Sequence, residues 1–158
     1  MLIAHNSGVM NTVKKTIQEL PPAYFALVMS TGIVAIGAHL VGFSRISEGL
    51  FWLNNLAYGI LLLLLFARLI FFFPAVLAEL TSHEKGPGFF TVVAGSCVLG
   101  IQYSLQKQGF ATAAILWFLA VATWFILTYS LFFLLIIKAE KPPFETGING
   151  AWLLLVVS

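Results

Sequence analysis

The segment at residues 21–42, PPAYFALVMSTGIVAIGAHLVG, contains no Asp, Glu, Lys or Arg. A helix of about 20 apolar residues, rising about 1.5 Å per residue, crosses a hydrocarbon core of about 30 Å. The whole chain of 158 residues is 60% hydrophobic and 9% charged, whereas soluble domains are roughly 25% charged. The sequence therefore predicts an all-α, polytopic membrane protein.

Small residues lie on one face of this first segment. Thr31, Ala35, Ala38 and Gly42 recur at spacings of four, three and four, which places them on the same side of a helix. Small residues let helices approach closely in lipid. They also leave room for a permeating species in a pore wall. The segment alone is compatible with both interpretations.

Five spans are predicted, at about residues 23–42, 50–73, 88–105, 110–137 and 147–158. The first, third and fifth are rich in small and polar residues, whereas the second and fourth are rich in leucine and aromatic residues. This alternation predicts helical hairpins that each contribute one inner, odd-numbered helix and one outer, even-numbered helix. The fifth span is still apolar at Ser158. We therefore expect residues 21–158 to be the N-terminal part of a longer membrane domain, cut inside its fifth helix.

Residues 1–20 precede the first span as a polar segment. Val13, Ile17 and Leu20 recur there at helical spacing beside Lys14 and Lys15, which predicts a short amphipathic helix at the membrane surface. Six basic residues flank the side shared by the N-terminus and the second and fourth connections: Lys14, Lys15, Arg68, Lys85, Lys138 and Lys141. Only two basic residues, Arg45 and Lys107, flank the other side. This bias predicts a cytoplasmic N-terminus and a multi-pass protein of the cell (inner) membrane.

The titratable residues argue against an enzyme. The chain has no Asp, and its six Glu residues all fall outside the predicted spans: Glu19, Glu48, Glu79, Glu84, Glu140 and Glu145. The three histidines show no metal-ligand spacing, and Cys97 is the only cysteine. We therefore expect no catalytic residues, no metal, no cofactor and no nucleic-acid partner.

Three stretches carry a family resemblance: PPAYFALVMSTGIVAIG, FARLIFFFPAVLAELTSHEKGPGFF and KPPFETGINGAWLLLVVS. They resemble the first helix, the link between helices two and three, and the entry to helix five of the tellurite-resistance and dicarboxylate transporter family. That family includes plant slow anion channels and fungal malate and sulfite transporters. The resemblance covers nearly all of residues 21–158.

The resemblance implies about ten helices in five hairpins, of which about five spans are present here. Odd helices line a central pore, even helices lie outside, and a homotrimer has one pore per subunit. The family's gate phenylalanine lies on a late odd helix that is not among these spans, so no gate residue is assigned. The implied partners are the lipid bilayer and inorganic or organic anions, including chloride, nitrate, sulfite, tellurium oxyanions and C4-dicarboxylates such as malate.

Small and hydroxyl residues of the odd spans are the pore-lining candidates: Ser30, Thr31, Ala35, Ala38, Thr91, Gly95, Ser96, Gly100 and Asn149. An anion pathway needs no fixed negative charge and weak donors instead of tight ligands, because a strongly bound ion does not leave. The alternative for each hydroxyl is a hydrogen bond to a carbonyl of its own helix. A non-conducting scaffold or sensor, whose small-residue faces only bind other helices, is the alternative function.

Arg68 is a candidate for a positive charge at a pore entrance. It lies near the cytoplasmic end of the second span. The alternatives are that its side chain extends to the lipid headgroups, or that it forms an ion pair with Glu79.

Overall fold

The computed structural model describes residues 21–82, 85–107 and 109–137. This part of the chain contains five helices: α1 (Phe25–Leu40), α2 (Ser44–Phe71), α3 (Phe73–Leu80), α4 (Phe90–Gln106) and α5 (Phe110–Ile137). Short 3-10 turns at Pro22–Tyr24 and Gly86–Phe89 lead into α1 and α4. No strand occurs within these ranges, which confirms the all-helical prediction. The expectations for residues 1–20, for the span at 147–158 and for Asn149 lie outside the described residues.

Four helical segments are long and apolar enough to cross a membrane: Pro22–Leu40, Ser44–Phe71, Gly86–Gln106 and Phe110–Phe133. The second begins six residues before the predicted boundary. Glu48, which the sequence prediction left outside the spans, therefore belongs to the first turns of α2. The prediction placed this boundary too late because charged residues at a helix end resemble a loop in a hydropathy pattern.

A tight turn joins α1 to α2. Gly42 has a φ of 93°, a conformation that residues with a Cβ rarely adopt, and the Phe43 amide donates to the Ala38 carbonyl at 2.8 Å. Because only three residues separate α1 from α2, the two helices pack as an antiparallel pair.

A second break separates α2 from the short helix α3. The chain leaves helical geometry at Phe72, with φ −132° and ψ 34°, and Pro74 lies in the first turn of α3. Proline is tolerated there because the first amides of a helix have no intrahelical partner. The predicted second span, which ran to residue 73, thus ends two residues early, and α3 occupies much of the following connection.

The helix α4 lies at the centre of the described bundle. Its most apolar window is 67% buried, compared with 22% for the segment containing α1 and 17% each for α2 and α5. It packs against α1 on one side and α5 on the other, while α2 packs mainly on α1. Within the described residues, the third span is thus an inner helix, whereas the first is about as exposed as the second and fourth.

Two apolar clusters hold α4 in place. One joins it to α3 and α5 through Val76, Phe89, Phe90, Val93, Ala120, Leu127 and Leu131. The other joins it to α1, α2 and α5 through Phe25, Val28, Tyr58, Val92, Leu99 and Leu116. The outward surfaces of α2 and α5 instead carry exposed Leu, Ile, Phe and Trp side chains, which suits contact with lipid.

Gly32 marks the closest approach of α1 to its neighbours. A Cβ at this position would clash with Val98 and would lie 3.0 Å from Asn54 Nδ2 and 3.3 Å from Gln102 Oε1. By contrast, a Cβ at Gly37 on the same helix would meet no atom within 4 Å. The small residue at position 32 is therefore required for helix packing.

We expect Gly32→Ala to destabilise the protein by about 1–3 kcal/mol, since the added methyl group overpacks the contact of α1 with α2 and α4. Gly37→Ala is the matched control, and it should leave stability unchanged or raise it by up to about 1 kcal/mol, because alanine favours a helix more than glycine does and its Cβ meets no atom within 4 Å. Thermal unfolding of both variants in the same detergent measures the difference. Equal melting temperatures for the two variants would contradict the packing assignment.

Candidate functional site

The buried face of α2 is mostly polar. Ser47, Phe51, Asn54, Tyr58 and Arg68 are buried, and their spacing places them on one side of the helix. The leucine- and aromatic-rich content of this span predicted an outer helix. The polar face that α2 buries was not predicted. The signal was present, because Ser47, Asn54 and Arg68 are separated by multiples of seven residues within a leucine-rich segment.

Two polar contacts join the first half of this face to α1 and α4. The Ser47 hydroxyl donates to the Ala35 carbonyl of α1 at 2.8 Å. Deeper in the bundle, Asn54 Nδ2 donates to Gln102 Oε1 of α4 at 2.6 Å, and both amide side chains are fully buried. Asn54 Oδ1 and Gln102 Nε2 have no hydrogen-bond partner among the described residues.

A second polar pair lies further along α2. The hydroxyl oxygens of Tyr58 and Ser96 are 2.8 Å apart, and Ser96 also donates to the Val92 carbonyl at 2.7 Å. Because the single hydroxyl hydrogen of Ser96 is directed at Val92, Tyr58 acts as the donor in the pair. These contacts fix the position of α2 against α4 in the middle of the bundle.

The hydroxyl candidates on α4 therefore hydrogen-bond within the bundle. Thr91 Oγ1 lies 2.7 Å from the Gly88 carbonyl and 2.8 Å from the Pro22 carbonyl, which ties the start of α4 to the start of α1. Ser96 bonds back to its own helix, as the alternative interpretation predicted. Both residues are buried, and their contact with an ion stays a prediction.

The glycine candidates on α4 lie at helix contacts. A Cβ at Gly95 would be 3.5 Å from the Phe25 carbonyl oxygen of α1, and one at Gly100 would be 3.5 Å from the Ala113 carbonyl oxygen of α5. Close packing on both sides explains why α4 carries small residues. Whether either glycine also lines a pore stays a prediction.

The candidates on α1 are divided between buried and accessible positions. Ala35 is fully buried beneath Ser47. Thr31 and Ala38 are half-buried, and Ser30 is exposed. Ser30 Oγ donates to the Ala26 carbonyl at 2.6 Å, again the bond within its own helix. Of the α1 candidates, Ser30, Thr31 and Ala38 are thus the ones that this part of the chain leaves accessible.

Arg68 forms the ion pair with Glu79 that the sequence offered as one alternative. Its Nη2 lies 2.7 Å from Glu79 Oε2, and the two side chains are 2% and 15% exposed. Lys85 Nζ lies 3.8 Å from the other carboxylate oxygen and is mostly exposed. The pair joins the end of α2 to α3. Arg68 is therefore buried and compensated, and a role as an entrance charge stays a prediction.

The opposite end of the bundle has its own ion pair. Lys107, just after α4, places Nζ 2.5 Å from Glu48 Oε1 in the first turns of α2. The same ammonium group lies 5.6 Å from the centre of the Phe51 ring and 5.9 Å from that of Trp52. Both carboxylates that the structure describes, Glu48 and Glu79, are thus paired with cations at opposite ends of α2.

Two of the cavities on the described bundle differ in the polarity of their walls. An apolar groove of about 420 Å³ lies between α4 and α5, lined by Cys97, Gly100, Ile101, Ser104, Ala113, Ala114 and Trp117. A smaller cavity of about 120 Å³ lies beside the pair Glu48–Lys107. The residues described here include no group of three His, Cys, Asp or Glu side chains arranged to hold a metal ion.

Four apolar spans, of which α4 with its small residues is the central one, and carboxylates paired at the ends define a multi-pass helical membrane protein. Residues 19–158 match the family model described as SLAC1, voltage-dependent anion channel. The chain belongs to this family of anion channels, which confirms the resemblance seen in the sequence and indicates anion transport instead of enzymatic catalysis. No curated protein and no solved structure matches the chain.

We expect Arg68→Gln or Glu79→Gln alone to destabilise the protein by about 3–5 kcal/mol, since each removes the nearest opposite charge from a largely buried ion. The double variant should recover a large part of this loss. Lys85→Gln is the control and should cost less than about 1 kcal/mol, because Lys85 is mostly exposed. Thermal unfolding in detergent tests the set. Additive losses in the double variant would show that the two side chains do not stabilise each other.

Proposed function

We propose that the chain forms part of the wall of an anion pathway lined by its odd-numbered spans. The observation that carries this proposal is the placement of charge: both described carboxylates are held in ion pairs, Glu79 with Arg68 and Glu48 with Lys107. The segments that contain α1 and α4 have no Asp or Glu of their own, so neither contributes a fixed negative charge that would repel an anion. The family match supplies the class of transported species.

The accessible residues of α1 are the best-placed lining candidates. Ser30, Thr31 and Ala38 are not enclosed by α2 or α4 in the described bundle, and their small side chains leave space for an ion. Thr91, Gly95, Ser96 and Gly100 support the wall from behind through their helix contacts. Weak hydroxyl donors suit conduction because they do not hold the ion tightly.

The proposed setting is the cell (inner) membrane, with the N-terminus in the cytoplasm. The distribution of basic residues supports this orientation. It would place the pair Arg68–Glu79 at the cytoplasmic end and the pair Glu48–Lys107 at the opposite end. Assembly as a homotrimer, with one pathway per subunit, follows from the family resemblance.

We expect Thr31→Phe and Ala38→Phe to reduce anion flux by about tenfold or more, equivalent to about 1.4 kcal/mol of added barrier. Ile33→Phe is the matched control, since Ile33 is 55% exposed and lies roughly 200° around the helix from Thr31. Chloride efflux from liposomes, at equal amounts of folded full-length protein, measures the effect. Unchanged flux in both test variants would remove α1 from the wall.

The transported anion and the mechanism require a second experiment. Efflux of chloride, nitrate and malate is compared with and without an imposed pH gradient. We expect flux of small anions that follows voltage and ignores the gradient, which describes a channel. Malate movement that depends on the gradient would instead indicate a proton-coupled carrier of C4-dicarboxylates, and tellurite resistance would then be tested as an associated phenotype.

A non-conducting scaffold or sensor is the second candidate function. The observation that favours it is the burial of the small residues of α4 in helix contacts, with Gly95 against α1 and Gly100 against α5. Under this alternative, no anion flux is found for a folded wild-type protein. Phe substitutions on α1 would then change assembly on a native gel and nothing else.

A further inference from the structure

The small cavity beside Glu48 is lined almost entirely by polar side chains. It measures about 120 Å³ and lies where α1 joins α2 and α4 joins α5, bounded by His39, Ser44, Ser47, Glu48, Gln106 and Lys107. A water molecule takes up about 30 Å³ of liquid, so the cavity has room for about four waters or for a small inorganic anion.

Gln106 borders this cavity from the last turn of α4. Its Nε2 is enclosed and has no accessible surface, so an anion in the cavity does not reach this amide group. The positive charge of the cavity therefore has to come from another side chain.

Lys107 supplies the positive charge. Its ammonium group is held beside the faces of Phe51 and Trp52, an arrangement that positions a cation without neutralising it. The negative partner is the carboxylate of Glu48, at 2.5 Å. Because the side chain of Glu48 is 59% exposed, it is free to move away while the aromatic rings keep Lys107 in place.

We propose that this cavity binds a small monovalent inorganic anion on Lys107, and that Glu48 is a tethered competitor for the same ammonium group. The carboxylate occupies Lys107 when no anion is present, and an arriving anion displaces it. The site rests on the proposed function, for which it is a loading site at one end of the pathway. The single ammonium group of Lys107 matches a monovalent anion in charge.

The test compares both members of the ion pair. The half-saturating chloride concentration is measured for uptake into liposomes containing the full-length protein, with gluconate replacing chloride at constant ionic strength. Lys107→Gln should raise this concentration by about tenfold, because the charge is lost. Glu48→Gln should lower it severalfold, because the competitor has gone. Lys107→Arg should retain binding.

Arg45→Gln is the matched control. Arg45 is exposed at the same end of the bundle but does not line the cavity, so its removal lowers the local positive potential without altering the site. Its half-saturating concentration should change less than about twofold, since exposed charges are screened by salt. If Arg45→Gln changed the half-saturating concentration as much as Lys107→Gln does, the effect would come from the overall surface charge and not from a binding site. That result would overturn the proposal.

The direction of the two central shifts separates a binding site from a structural ion pair. If the pair only stabilises the fold, Glu48→Gln and Lys107→Gln act in the same direction, and the proposal is wrong. Chloride binding to the same proteins in detergent, measured by calorimetry, gives a readout without transport. If Glu48→Gln and Lys107→Gln shift the chloride affinity in opposite directions but the wild-type protein shows no flux, the binding site is supported and the proposed function is rejected. If the wild-type protein transports chloride but the two variants show no opposite shifts, only the binding site is rejected. If neither flux nor opposite shifts are found, the binding site and the proposed function are both rejected.

Discussion

The hydrogen bonds between buried polar side chains are the interaction on which the rest of this bundle depends. In lipid, apolar surfaces gain little by meeting each other, so helices associate through close packing and polar contacts. Asn54 bonds to Gln102 and Tyr58 to Ser96, both across the contact of α2 with α4. Gly32 lets α1 approach the first of these pairs closely. Small residues and polar residues thus act together, since the former permit the approach and the latter fix its register.

The charged residues divide the molecule into an apolar middle and two polar ends. A charge inside the hydrocarbon region is costly unless it is paired, and Glu48 and Glu79 have partners at opposite ends of α2. The pair Arg68–Glu79 is nearly enclosed, whereas the pair Glu48–Lys107 is accessible. The first suits a structural role that joins α2 to α3. The pair Glu48–Lys107 can exchange partners more easily, because water or an ion can reach the carboxylate and the ammonium group.

The small residues of α1 and α4 fall into two groups in the described bundle. Gly95 and Gly100 lie against the backbones of α1 and α5, so their immediate role is to let α4 occupy the centre. Ser30, Thr31 and Ala38 are not enclosed in this way. Under the proposed function, the accessible group would face the anion and the packed group would support the wall behind it.

The sequence by itself indicated a helical protein with several membrane spans, because hydropathy and composition depend on neighbouring residues alone. The family was indicated separately, by three stretches of sequence that resemble its members. The sequence also offered the pairing of Arg68 with Glu79 as one of several alternatives. Only the tertiary structure showed that α2 presents a polar face to α4, that Thr91 and Ser96 are engaged in hydrogen bonds, and that Lys107 meets Glu48 beside a polar cavity. These contacts join residues up to 69 positions apart, and hydropathy along the chain carries no information about which faces of distant helices meet.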